Sequence, residues 1–244
     1  MQYSGEVGIM STINESIRYP MERDEWYKTI IIGGILSLFS FLIIPILLVY
    51  GFIIRVIQSR LAGQRQPPEF GDWATLLVDG VKVAIIGFVY LLIPLIVAAF
   101  TIGGALMSIG TGTEAGAAVG LAGLFGGFLL SSLLVLIFGY IAVAAIVNFA
   151  RTEQFGDAFD FGTIKQVIFH SDYAIAWLTA VVVLIVAGIV AGMLNIIPIL
   201  GWVVAAFVYF YAQIVAAGIW ADGFEAAREG ADVSGHVVSD DPAV

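Results

Sequence analysis

Apolar residues run through this chain in stretches too long to be the core-facing stripe of soluble helices. Residues 30–57, 83–109, 115–150, 173–197 and 200–220 are almost wholly hydrophobic, interrupted by small polar residues, by Pro45 and by Arg55. A hydrocarbon core of about 30 Å takes roughly 20 helical residues to cross, so each stretch holds at least one crossing. Ten-residue alternating patterns, the mark of membrane strands, are absent, and backbone in lipid must satisfy its own hydrogen bonds. The pattern therefore predicts an all-α, polytopic transmembrane helical bundle.

The first stretch has two readings. As one helix it would run about 50 Å, with a kink at Pro45 and five spans in all. As a hairpin turning near Pro45, in the segment 43–47, it gives six spans with short arms. Basic residues near span ends favour the cytoplasmic side. With five spans the ten basic residues divide three (Arg18, Arg23, Lys28) against seven; with six, all ten share one face. Six spans with both termini cytoplasmic is the preferred topology, and five spans with a Pro-kinked first helix is the rival. The expected organisation is a cytoplasmic interfacial segment at residues 1–28, a transmembrane helical domain at 29–221 and an acidic, disordered tail at 222–244.

Recurring steps suggest three repeated hairpins. Glu25-Trp26, Asp72-Trp73 and Asp172-Tyr173 each open an apolar run, and each run leads to an aliphatic-Pro step at Pro45, Pro94 or Pro198. Phe70-Gly71-Asp72 recurs as Phe155-Gly156-Asp157, each time ahead of a short amphipathic stretch read as an interfacial elbow.

Composition changes this picture in few places. The chain is 60 % hydrophobic and 12 % charged, with a mean hydropathy of +1.01. A soluble domain carries roughly 25 % charged residues, so lipid is the solvent this surface needs. Without cysteine, disulfide and thiolate chemistry are excluded. Nineteen acids against ten bases, only three of them lysine, match the exposed surfaces of proteins from high-salt cytoplasms. Nucleic acid is not an expected partner, because there is no basic stripe. The polar first 26 residues contain no signal-peptide pattern, and Met10 is a second candidate start.

Candidate chemistry is sparse. The loop from Arg60 to Trp73 is the most specific feature, with Pro67-Pro68 forcing extended backbone. Arg60, Arg65, Asp72, Trp73 and Lys82 form a candidate lipid-headgroup or partner surface. In that reading the arginines lie near phosphates, Asp72 caps a helix and Trp73 anchors at the interface. Residues 157–170 form the counterpart, with Phe159, Phe161, Ile164, Val167 and Ile168 available to lipid. His170 is a lone interfacial histidine. Arg55 is read as reaching the headgroups from within a span. Asn148, Asn195 and Gln213 are candidate intramembrane polar contacts between helices. Gly116, Gly120, Gly123 and Gly127, and the pair Gly188 and Gly192, are faces for close helix packing or oligomers. The glycines carry no lysine-serine pair that would make a nucleotide loop. No catalytic, cofactor-binding or metal residues are assigned.

The run from Tyr19-Pro20 through Trp26, Ile32-Gly33-Gly34-Ile35-Leu36, Phe41-Leu42-Ile43-Ile44-Pro45 and Tyr50-Gly51-Phe52 to Arg55 resembles the haloarchaeal membrane-protein family called domain of unknown function 4013. Pro67-Pro68-Glu69-Phe70-Gly71-Asp72-Trp73 and Asp79-Gly80-Val81-Lys82 resemble it too. A more distant similarity is to the six-helix membrane domains of the glycerophosphodiester phosphodiesterase superfamily, whose basic helix ends also lead through a Pro-containing loop to an elbow. The resemblance implies six spans and a haloarchaeal cell membrane, with no catalytic residue to carry over. The expected role is non-enzymatic: a scaffold, assembly or oligomeric component whose partners are the bilayer, a second copy or other membrane proteins. The alternative is a transporter or lipid-handling protein with a path between repeats.

Overall fold

A computed structural model describes residues 14–239, with side chains described as far as residue 231. The described residues are helical, with no strand among them. A helical stretch at 14–18 leads into a 3-10 turn, Tyr19–Met21. The helices that follow are α1 (Trp26–Leu38), α2 (Ile43–Leu61), α3 (Trp73–Gly110), α4 (Glu114–Thr152), α5 (Phe161–Ile168), α6 (Ser171–Leu194) and α7 (Leu200–Ser239), with a second 3-10 turn at Phe155–Phe159 before α5. The chain divides into two compact units, Met1–Ala84 with Ala144–Val244, and Ile85–Val143.

The first unit is organised around α7. That helix is enclosed on several sides, with Phe210, Ile214, Val215, Ala216, Ala217 and Phe224 all buried. Helix α1 meets it through Gly33 and Gly34, where a Cβ would overlap the rings of Phe210 and Phe207. Helix α6 meets it through small residues: Ala180 packs with Val215, Ala216 and Ile219, and Gly223 lies against Ala176. Helix α2 and the start of α3 approach more closely still. A Cβ on Gly51 would overlap the Leu76 carbonyl, and one on Gly80 would overlap the Leu47 carbonyl. Only glycine leaves room for backbone against backbone at such a crossing.

The second unit is an antiparallel hairpin of the later part of α3 and the earlier part of α4. Its turn places Gly112 at φ +69°, and the Thr113 hydroxyl accepts from the Gly116 N–H at 3.0 Å as the cap of α4. Along the hairpin Gly120 faces Ile109 and the Ala105 carbonyl, Gly123 faces Ala105, and Gly127 faces Thr101. The glycine stripe, read as a face for close helix packing or oligomers, packs on the chain's own α3.

Helices α2, α3, α4, α6 and α7 are long and apolar enough to cross a membrane. The expected sixth arm, α1, has only 13 residues, about 20 Å of helix against a core of about 30 Å. The Pro-kinked single helix is corrected. The chain breaks at residues 39–42, ahead of Pro45, which becomes the third residue of α2, where a missing N–H costs nothing. The two arms fold back, since residues 15–23 bond to the loop after α2 (below).

The chain does form three hairpins, α1–α2, α3–α4 and α6–α7, but their Ile-Pro steps are not equivalent. Pro45 opens a helix, Pro94 lies inside an unbroken α3 and Pro198 sits in the α6–α7 turn. The first elbow is not separate either, because Trp73 to Gly110 is one helix. The second elbow is separate, but Ile164 and Val167 are buried against protein rather than lipid, while Phe161 and Phe169 are exposed. Beyond residue 221, α7 continues with Phe224 and Ala227 buried, so the packed helix extends past the start expected for the tail. The Met10 start, and residues 1–13 of the expected interfacial segment, lie outside the described residues.

Candidate functional site

The first unit gathers its polar chemistry at the end of α2. Gly63 turns the chain with φ +69°, and residues 64–72 then leave four carbonyls and a phenyl ring to be held by other elements. The Tyr19 hydroxyl donates to the Gln66 carbonyl at 3.2 Å. Arg23 donates to the Pro67 carbonyl at 2.9 Å and pairs with the Glu69 carboxylate at 2.8 Å. Arg55 donates to the carbonyls of Gly71 and Glu69, at 2.8 and 3.3 Å. Phe70 stacks on Phe52, centroids 4.0 Å apart and 10° between planes, with Trp73 and Phe210 completing the aromatic cluster. Burial pushes the Tyr19 phenol above its ordinary value, against the pull of Ser59 and Arg60.

Arg60 is the most enclosed of these cations, its side chain 9 % exposed. It makes a two-pronged pair with Asp222 of α7, lies 3.7 Å from Glu15 and stacks over the Tyr19 ring at 4.8 Å. The guanidinium thus ties the N-terminal segment, α2 and α7 together, a use for which Arg is better shaped than Lys. It faces inward rather than toward lipid phosphate.

The other predicted site residues separate. Arg65 is exposed, with no ion pair among the described residues. Asp72 caps α3: its carboxylate accepts from the Thr75 N–H at 3.4 Å, and bonding to Thr75 holds its acid below the usual range. Trp73 is 47 % exposed and packs on Phe70, as an interfacial anchor would. Lys82 pairs with Asp79 at 3.0 Å and lies 5.5 Å from the Phe149 ring. Asn148 is buried and ties the end of α4 to the turn after it: it donates to the Asp157 carbonyl at 2.7 Å and accepts from the Arg151 side chain at 3.0 and 3.3 Å. Asn195 is the exposed C-cap of α6. Gln213 is half-buried on α7. Among the described residues none of these three amides makes a hydrogen bond from one long helix to another. His170 caps α6 through its Nδ1, with Asp172 beside it. The cap of α5 is Asp160, held below the usual carboxylate range first by the Thr163 hydroxyl and then by backbone N–H groups. The Phe-Gly-Asp recurrence therefore hides two different local structures.

Sequence reasoning missed Tyr19, Arg23 and Asp222 as partners, and Gly51 and Gly80 as the tightest crossing. A glycine isolated within a helical apolar run was the signal for the last two. Nothing local marks an ion pair between residues 60 and 222. Among the described residues no three His, Cys, Asp or Glu side chains gather to hold a metal.

Five apolar helices of this length define a multi-pass α-helical integral membrane protein. The chain belongs to the family described as "Protein of unknown function (DUF4013)", whose model matches residues 35–196. That stretch contains Arg55, Arg60 and the loop they border, but not Tyr19, Arg23 or Asp222. No curated protein and no solved structure matches the chain.

Proposed function

We propose that this protein is a non-enzymatic membrane component, a scaffold or assembly element that works by associating rather than by converting a small molecule. The observation that carries this reading is where the polar side chains go. Arg23, Arg55, Arg60, Lys82 and Asn148 all bond to the chain's own loops and carboxylates. A ligand site needs a few polar groups converging on open space, and these are taken up by the chain's own carbonyls and carboxylates instead.

Association has a candidate face on α6. Gly188 and Gly192 have nothing within 4 Å of where a Cβ would stand, and Ile185 and Ile189 beside them are exposed. A second copy, docking small residue to small residue, suits such a face. The test is the oligomeric state of Gly188→Leu and Gly120→Leu proteins in lipid nanodiscs. Gly188→Leu is expected to dissociate oligomers with its thermal transition unchanged, whereas Gly120→Leu disturbs the hairpin itself. A wild-type protein that is monomeric at native lipid density would defeat the oligomer reading.

We further propose that the protein lies in the cell membrane with both ends cytoplasmic, because counting both arms of the α1–α2 hairpin as crossings puts all ten basic residues on one face. A cysteine placed before Tyr19 and labelled only from outside would overturn this. The acid-rich, lysine-poor surface supports a high-salt, haloarchaeal cytoplasm, and the Pro-containing loop leading to a helix supports kinship with the phosphodiesterase membrane domains.

A lipid-handling role is the second reading. An open groove of about 760 Å³ between the hairpin arms of the second unit is lined by Ala98, Ile102, Leu124, Phe128 and Val135, among others. Photo-crosslinking of an acyl chain to Phe128 but not to α6 would favour it.

A further inference from the structure

The first unit leaves two exposed arginines without an ion pair among the described residues, each next in sequence to a partner of one hydrogen bond. The Tyr19–Gln66 hydrogen bond joins segments 47 residues apart, and Arg18 and Arg65 are the residues immediately before its two partners. Both are exposed, and neither has an ion pair among the described residues. Two acids near this junction are engaged already: Glu15 faces Arg60 and Glu69 is held by Arg23. Glu22, one turn beyond Arg18, and Asp24 are exposed acids with no ion pair among the described residues. Exposed Ile17 and Met21 flank Arg18. In a chain of formal charge −9, a fold that pairs Glu15 and Glu69 with other arginines leaves these two guanidinium groups outward and available to an outside anion. They stand at the end of the bundle where α2 leaves the apolar run.

We propose that Arg18 and Arg65 together bind the phosphate of an anionic lipid headgroup, with Ile17 and Met21 against the upper acyl region. Guanidinium groups pair with phosphate through several directed hydrogen bonds, and a basic residue near an anionic surface strengthens binding about five-fold. The proposal needs only the membrane setting and is independent of whether the protein oligomerises.

The experiment uses the full chain in nanodiscs of mixed phosphatidylglycerol and phosphatidylcholine at about 0.15 M salt, where the screening length is about 8 Å. Native mass spectrometry then reads the ratio of anionic to zwitterionic lipid retained. The double variant R18Q/R65Q is expected to lower that ratio about thirty-fold, with an unchanged thermal transition because both side chains are exposed. Lys165→Gln, which removes an exposed cation elsewhere in the unit, is expected to leave it unchanged. Equal retention by R18Q/R65Q, or an equal loss in K165Q, would overturn the site. Displacement of the lipid by about 10 mM inorganic phosphate would show a free-anion site instead and overturn the lipid assignment. Should the double variant fail to fold, R18Q and R65Q singly carry the same test, each with about a five-fold loss expected.

Discussion

The two units solve the same problem, packing helices in lipid, with different chemistry. The first contains every basic residue of the chain and joins distant segments through Arg60–Asp222, Arg23–Glu69 and the Tyr19–Gln66 bond. The second contains one charged residue, Glu114, and closes through glycine, alanine and threonine along a single hairpin. Hydrophobic burial cannot choose partners among helices already surrounded by hydrocarbon. Long-range specificity in the first unit therefore comes from directed polar contacts and backbone notches. A hairpin needs no such selection, because its turn already makes the two arms neighbours.

That contrast can be broken in stages. The largest effect is expected from Gly51→Leu or Gly80→Leu, which would drive a side chain into the backbone of the facing helix. Either should abolish the folded first unit, read as loss of the thermal transition in detergent. Gly120→Leu meets Ile109 as well as the Ala105 carbonyl, so a smaller loss is expected, of the 1–3 kcal/mol order typical of overpacking. Equal tolerance at Gly51 and Gly120 would erase the distinction drawn here.

Asp222→Ala comes next, leaving a largely enclosed guanidinium without its main partner. A cost of about 3 kcal/mol is expected, measured as a shift in denaturation midpoint. Restoring stability with Arg60→Met in the same chain would identify the stranded charge as the cause. Acid should act on the first unit alone. Asp72 and Asp160 have folded-state values below the ordinary one, so what they contribute is complete above the unfolded value. It is lost as pH falls through the lower folded values. Hydrogen exchange at the starts of α3 and α5 is therefore expected to quicken only below about pH 4, while the hairpin turn at Thr113 is unaffected. Asp160→Asn should remove most of the acid response of α5. The smallest effect belongs to Glu114→Gln, which touches the second unit's one charge and should leave its stability unchanged.

Much of the architecture was legible in the chain. Run length and composition are enough for a helical membrane bundle, because lipid leaves so few alternatives. The break before Pro45 was legible as well, though it falls three or more residues earlier than the proline suggested, at Phe39-Ser40-Phe41-Leu42, which contains neither glycine nor proline. What stayed hidden was pairing. Arg60 reads as a headgroup contact until Asp222 is seen 162 residues away, and Asn148 reads as an interhelical contact until the Asp157 carbonyl turns back to it. The Gly116–Gly127 stripe was correctly a packing face, but periodicity cannot say whether the matching face belongs to another copy or to the preceding helix. Asp72 was the most readable site residue, since a cap depends only on neighbours in sequence.

The first unit is also discontinuous, and that has a consequence for how the protein is made. Helices α1 and α2 lean on α7, yet roughly 140 residues are synthesised between Leu61 and Leu200. At about 5–20 residues per second, α1 and α2 wait on the order of ten seconds before their partner leaves the ribosome. During that interval the 13-residue α1 has no neighbour except α2 to hold it in a bilayer it is too short to cross. The contacts of residues 19 and 23 with the loop after α2 are available at once. They are placed to hold the early hairpin in register until α7 arrives.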